Sequence, residues 1–294
     1  MNKSAMTMMM NLLAAIASAF LIASTSAYAP LSNVKVQNVR SEGTTDIGEW
    51  LSNGKSLFVF GTYAADFNAI EYGQRLRYYW PKLQQEKGFD KCVFLLSCQP
   101  EAALALAEQI DLPESIELYC DNTGQAARQF GVERGWLPEN EDVNPFLKLF
   151  GMLWGLGAWA TLPAVIGGYL GNPFVGQPWI EDALAVGQKK GRWPNNALEI
   201  NESDGSIVNK FTELPVVGEW PRRPLELATL RLQSMMGISL AKWKDLAPDE
   251  DALANGVLTQ LGGCIATKDD SVIYEYKDPG ICAVANFEKM MEKV

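Results

Sequence analysis

Hydrophobic and polar residues alternate in blocks from Leu57 to Gly131. Leu57 to Phe60 is an apolar run of strand length. Thr62 to Ala65 reads as a turn, and Asp66 as the N-cap of a helix. That helix carries Phe67, Ile70, Leu76, Trp80 and Leu83 on roughly one face. Cys92 to Cys98 reads as a second buried strand, and Pro100 to Ile110 as an Ala- and Leu-rich helix. Ile116 to Cys120 is a third short strand, and Gly124 to Phe130 a short helix closed by Gly131. Strands alternating with helices predict an α/β fold with a parallel, doubly covered sheet.

Asn144 to Ile180 breaks this rhythm. No charge occurs from Leu149 to Ile180, which holds Trp154, Trp159 and Trp179 and six glycines from Gly151 to Gly171. The stretch is long enough to cross a bilayer, but Pro163 and the glycines favour a broken hydrophobic hairpin over one straight helix. Three placements stay open: burial against the domain or a second copy of the chain, contact with a membrane surface, and a true span. The insertion as a whole is taken as residues 144–195. Two hairpins are expected next: Ala197 to Phe211 turning at Asp204-Gly205, and Cys264 to Tyr276 turning near Asp269-Asp270. A helix from Ile281 to Lys293 follows the second. Between the hairpins, Pro224 opens a helix, and Leu225, Ala228, Leu232, Met235, Met236 and Trp243 form a stripe expected to be core or interface. The whole order is strand–helix–strand–helix–strand, an insertion, then hairpin–helix, which is a thioredoxin-like order with a mixed central sheet.

Composition narrows the chemistry. The 294 residues carry 25 Lys and Arg against 35 Asp and Glu, a net charge of −10, which argues against nucleic acid as a partner. There is no histidine, so a Ser-His-Asp triad, a Cys-His pair, histidine metal ligands and a histidine pH switch are excluded. The five cysteines are Cys92, Cys98, Cys120, Cys264 and Cys282, with no C-x-x-C pair and no zinc-like spacing. No metal and no cofactor is expected. Cys92 and Cys282 read as packing residues.

The N-terminus reads as an address. Met6 to Ala23 is mostly apolar and uncharged, and Ser26-Ala27-Tyr28-Ala29-Pro30 offers cleavage after Ala27. The next segment has Lys35 and Arg40 and no acid before Ser41. This resembles the bipartite presequence of algae with secondary red plastids. It implies a signal peptide over 1–27, a transit-peptide-like segment over 28–45 and a mature domain over 46–294. The implied location is the chloroplast, in the stroma or on the thylakoid.

Four stretches carry a second resemblance: Asp66-Phe67-Asn68-Ala69-Ile70-Glu71-Tyr72, Arg223-Pro224-Leu225-Glu226-Leu227-Ala228-Thr229-Leu230-Arg231-Leu232, Gln260-Leu261-Gly262-Gly263-Cys264 and Ile273-Tyr274-Glu275-Tyr276-Lys277-Asp278-Pro279-Gly280-Ile281. They are similar to the cysteine-poor branch of the AhpC/TSA peroxiredoxin-like family of cyanobacteria and plastids. The likeness covers roughly 54–294. It implies a thioredoxin-like fold and an antioxidant or thiol-redox role.

The resemblance also exposes a gap. Peroxiredoxins hold a thiolate at the start of the helix after the first strand, where the helix N-terminus stabilises it. Here no cysteine lies between Tyr63 and Lys91. Thr62 supplies a hydroxyl and Arg75 or Arg77 a cation, but Asp66, Asn68 or Glu71 fills the nucleophile's place. The catalytic candidate is then Cys264, in the loop expected to face that turn, where the family usually carries Thr. Thr62, Tyr63, Asp66 and Glu71 are its expected lining. Cys98 and Cys120, at the carboxyl ends of strands expected to be neighbours, form a candidate redox pair. Three readings follow. One is a thiol-dependent antioxidant enzyme. The second is a non-catalytic accessory or scaffold protein that docks on a thylakoid membrane or photosynthetic complex through Leu149 to Ile180, with a homo-oligomer possible. The third is a small-molecule binder between Tyr63 and Cys264.

Overall fold

The apolar run at Leu57 to Phe60 becomes an interior strand of a seven-stranded sheet. A computed structural model of the chain describes residues 31–41, 43–51, 54–170, 177–192, 199–200, 207–208, 224–269 and 271–294. In chain order the first half comprises β1 (Lys35–Asn38), β2 (Thr44–Asp46), α1 (Ile47–Leu51), β3 (Lys55–Phe60), α2 (Phe67–Lys87), β4 (Lys91–Leu96), α3 (Pro100–Ile110), β5 (Glu117–Cys120) and α4 (Gln125–Phe130). The insertion supplies α5 (Pro145–Leu153), α6 (Thr161–Val165), a π-helical turn over Ile166–Leu170 and α7 (Pro178–Lys189). A two-stranded ladder of β6 (Glu199–Ile200) and β7 (Ile207–Val208) precedes α8 (Pro224–Ser239), α9 (Trp243–Leu246) and α10 (Glu250–Ala254). The chain ends with β8 (Gly263–Lys268), β9 (Ser271–Lys277) and α11 (Phe287–Lys293).

The strand order is β2-β1-β5-β4-β3-β8-β9. β3, β4 and β5 run parallel, while β8, β9, β1 and β2 each join antiparallel to their neighbours, so the sheet is mixed and open. Alternation across the pleat explains the continuous apolar runs. Leu57, Val59, Phe94 and Cys264 face one core with α2, α3, α7, α8 and α11, whereas Phe58, Phe60, Val93, Leu95 and Ile265 face another with α1 and α4. Both faces are covered, so neither needs polar positions.

Several expectations hold in detail. Ile70, Leu76, Trp80 and Leu83 are buried along α2, which ends on the left-handed Gly88. The second hairpin forms as β8 and β9, with Asp269 in the left-handed region at φ 46. The first hairpin is the β6–β7 ladder, and its turn at Asp204-Gly205 lies outside the described residues. The signal peptide over 1–27 also lies outside them. Residues 35–46, within and just past the segment expected to be transit-peptide-like, form β1 and β2 on the sheet edge.

Three elements differ from expectation. The last helix starts at Phe287, not Ile281, because Cys282 takes φ 63 and the 281–286 backbone is committed elsewhere. Ile281 N donates to Thr161 Oγ1, Cys282 N to Asn68 Oδ1 and Ala285 N to the Tyr72 hydroxyl. The stripe on α8 splits: Met235 is buried, but Leu232 and Met236 face solvent, and Arg231 turns inward. The apolar insertion also splits. Trp179 and Ile180 join the core against α2, while most of 146–166 stays outside. Among the described residues no helix is long and apolar enough to cross a membrane.

Candidate functional site

Where β3 ends, the backbone turns through Thr62 to Ala65 into α2, and every side chain in the turn is buried. Thr62 Oγ1 donates to Asp66 Oδ2 at 2.5 Å. Asp66 holds the N-cap position, with an extended backbone at φ −75 and ψ 144. Burial pushes the Asp66 carboxyl up to about 6, against the pull of the Thr62 hydroxyl and the Asn68 and Phe67 amides. Tyr63 packs edge-on against Trp243 at 6.5 Å, and burial, then Asp66, raises its phenol well above the usual range.

The next helical turn reaches the C-terminal hairpin. Asn68 Nδ2 donates to Asp278 Oδ2 at 2.9 Å, and the Tyr72 hydroxyl donates to Asp278 Oδ1 at 2.5 Å. Asp278 is fully buried, and burial drives its carboxyl up to about 8, with Asp66 and Glu71 adding to the rise. Cys264 lies beside this group in β8, opposite Val59 and Tyr276. It is the second residue of the strand, not part of the loop, and is 0% exposed. Burial, and then Asp278, hold its thiol well above the ordinary value, with Arg75 opposing. Gly262 explains the tight approach: a Cβ there would lie 2.5 Å from the Phe60 carbonyl oxygen and 3.0 Å from Asp278 Oδ2.

Glu71 turns away from the Thr62–Tyr63 turn. Its Oε1 accepts from Arg75 Nε at 3.0 Å and Nη2 at 2.7 Å, and its Oε2 accepts from Arg231 Nη2. Arg75 Nη1 also donates to the Ala285 carbonyl, and Arg231 Nη1 to that of Gly168. Both guanidiniums lie over Trp179, at 4.6 and 5.0 Å from its ring centre.

Thr62, Tyr63 and Asp66 therefore share one cluster, Cys264 adjoins it through Asp278, and Glu71 belongs to a separate ionic knot. Cys98 and Cys120 sit at the ends expected for them, with Leu96 opposite Cys120 in the β4–β5 register. Both are buried, and none of the five cysteines is in a disulfide. Burial raises the Cys120 thiol to about 11, and burial followed by Cys120 raises that of Cys98 further. Asp278, Arg231 and Cys282 carry roles that sequence patterning did not assign them. Asp278 and Arg231 did stand inside quoted stretches. Cys282 is the one cysteine that is not buried, and its left-handed backbone leaves no trace in hydrophobic periodicity. Among the described residues no group of three or more Cys, Asp or Glu is arranged to hold a metal ion.

Asp66 and Asp278 are thus two buried carboxyls with raised affinity for protons. Asn68 and Tyr72 tie α2 to the C-terminal hairpin through Asp278, and the separate knot at Glu71 ties it to α8 through Arg231. No protein-family model matches the chain, and no curated protein matches it.

Proposed function

We propose that the chain is a plastid protein of thioredoxin-like fold and peroxiredoxin-like type that acts as a non-catalytic accessory protein on a thylakoid membrane surface. The fold reading draws support from the order β4-β3-β8-β9, in which two parallel strands joined by α2 are extended by an antiparallel hairpin and a final helix. The four stretches behind the family resemblance also meet: Asn68 and Tyr72 on Asp278, Arg231 on Glu71, and Cys264 beside Asp278.

One observation carries the docking reading: α5 is inside out. Its sole charged residue, Lys148, is buried, while Phe146, Leu147, Phe150 and Leu153 face solvent. The exposed series continues through Trp154 at 63% exposure, Leu156, Trp159 at 75%, Leu162 and Ile166. A contiguous apolar surface of this kind marks an interaction site. Short broken helices with exposed tryptophans suit the plane of a bilayer interface, where tryptophan is enriched.

Flotation with vesicles of phosphatidylcholine and phosphatidylglycerol tests this. Wild-type protein should float, and Phe150→Glu/Trp154→Glu should stay in the heavy fraction with unchanged circular dichroism. A wild-type protein that remains soluble, or pairs with itself through this face, would overturn the membrane reading. A thiol-redox enzyme using Cys264 is the second reading; the Arg75 guanidinium, which pulls the thiol down against burial and Asp278, is the observation that favours it. It requires peroxide consumption or disulfide reduction that Cys264→Ser abolishes.

A further inference from the structure

The one charge of α5 points inward, onto a cavity of about 460 Å³. The cavity lies between the start of α5, the chain over 134–143 and the turn that follows α10. Its volume falls in the range of small-molecule sites, roughly 300–1,000 Å³. Lys148 lines it and is 8% exposed. Among the described residues the Lys148 Nζ makes no hydrogen bond and no ion pair. Nor is that atom sealed away, so its N–H groups open to the cavity. A buried ammonium in this state is costly unless something in the cavity meets it.

The charges around the cavity balance, but they lie at different depths. Its ionisable lining residues are Arg134, Glu139, Glu141 and Lys148. Arg134 Nη1 is spent on Glu139 Oε1. The Glu139 side chain is 79% exposed and Glu141 is exposed too, so both carboxylates stand at the mouth. Lys148 is left as the deep cation. Other polar groups of the lining are engaged within the protein. Thr259 Oγ1 donates to the Arg134 carbonyl, and Asn255 Nδ2 to that of Asp251. Pro138, Val143, Pro145, Leu253 and Leu258 make the rest of the wall largely apolar.

We infer that this cavity binds a small organic carboxylate, with its oxygens on Lys148 Nζ and its apolar body against Val143, Leu253 and Leu258. One deep cation suits a single negative charge, and the carboxylates at the mouth oppose a second. The site goes beyond membrane docking: it lies on the buried face of α5, whereas Phe150 and Trp154 face solvent.

Calorimetric titration of the full chain tests this with octanoate, 1-octanol, acetate and octyl phosphate, at about pH 8 so that the phosphate carries two charges. Octanoate should bind one to one, and the other three about tenfold more weakly or less. Lys148→Met keeps the reach of the side chain and drops its charge. It should weaken octanoate about tenfold and leave 1-octanol unchanged. Phe150→Glu/Trp154→Glu should bind octanoate as wild type does. Absence of octanoate binding, equal binding of 1-octanol or octyl phosphate, or unchanged affinity in Lys148→Met would overturn the site. Loss of octanoate binding in Phe150→Glu/Trp154→Glu would overturn it as well, by placing the ligand on the exposed surface. Where Lys148→Met does not fold, acetylation of Lys148 by acetic anhydride in wild type, read by mass spectrometry, takes its place. Octanoate at ~10 times its dissociation constant should slow that acetylation about tenfold. A Lys148 that resists acetylation without ligand, or reacts equally fast with octanoate present, contradicts the proposal.

Discussion

Asp278 is the residue on which the buried cluster turns. Its folded carboxyl is raised to about 8 and that of Asp66 to about 6, both from 3.8, with burial the largest cause. A raised value means that the folded state holds the proton more tightly than the unfolded chain. The resulting stability is full below about 4, declines as pH rises, and is lost by the folded value of each group. Between pH 6 and 8 the remaining decline belongs to Asp278. Thermal unfolding of wild type should therefore fall over that window, and Asp278→Asn should flatten the slope; parallel slopes would contradict the assignment. Each kcal/mol appears as roughly 2–4 °C in a domain of this size.

Glu71 gives a second test at the same scale. Replacing it with Gln leaves two buried guanidiniums without their shared carboxylate, and a loss of roughly 3–5 kcal/mol in urea unfolding is expected. The half-exposed Lys277–Glu275 pair is the contrast, since removing it should change stability by about 0–1 kcal/mol. The family resemblance placed Glu71 with Thr62 and Tyr63, as one of the residues in the missing nucleophile's place. Five residues beyond Asp66 at about 100° each carry the side chain well around the helix, toward α8.

At the scale of elements, the strands and α2 were legible because both faces of the sheet are buried. Their apolar runs and helical stripe state that burial directly. Ends of elements were less legible. The helix expected from Ile281 gave way to a loop whose amides serve Asn68, Tyr72 and Thr161, partners remote in sequence. The face of α8 rotated because Arg231 finds its carboxylate inside. Gly262 is the joint where β8 meets the cluster, and periodicity says nothing about such contacts. Gly262→Ala should cost about 1–3 kcal/mol through overpacking against the Phe60 carbonyl, read by chemical denaturation; a neutral change would show that the joint relaxes freely.

For the whole molecule, the pattern foretold an α/β sheet with an apolar insertion, and the structure adds an edge built from β1 and β2. That edge was hidden because Val36 is the only buried residue of β1, too little to mark a strand. The insertion's division could not be read from composition. Uncharged residues pack inward at Trp179 and outward at Trp159, and only tertiary contacts separate the two. The molecule thus has a closed polar cluster on one side of α2 and an open apolar surface built from the insertion. We propose that this surface lies in a bilayer. Quenching of tryptophan fluorescence by brominated phosphatidylcholine mixed with phosphatidylglycerol tests it most directly. Wild-type protein should be quenched, and Trp154→Phe/Trp159→Phe should lose most of that quenching while still floating with the vesicles. Quenching that is absent in wild type, or undiminished in the double variant, would contradict the account.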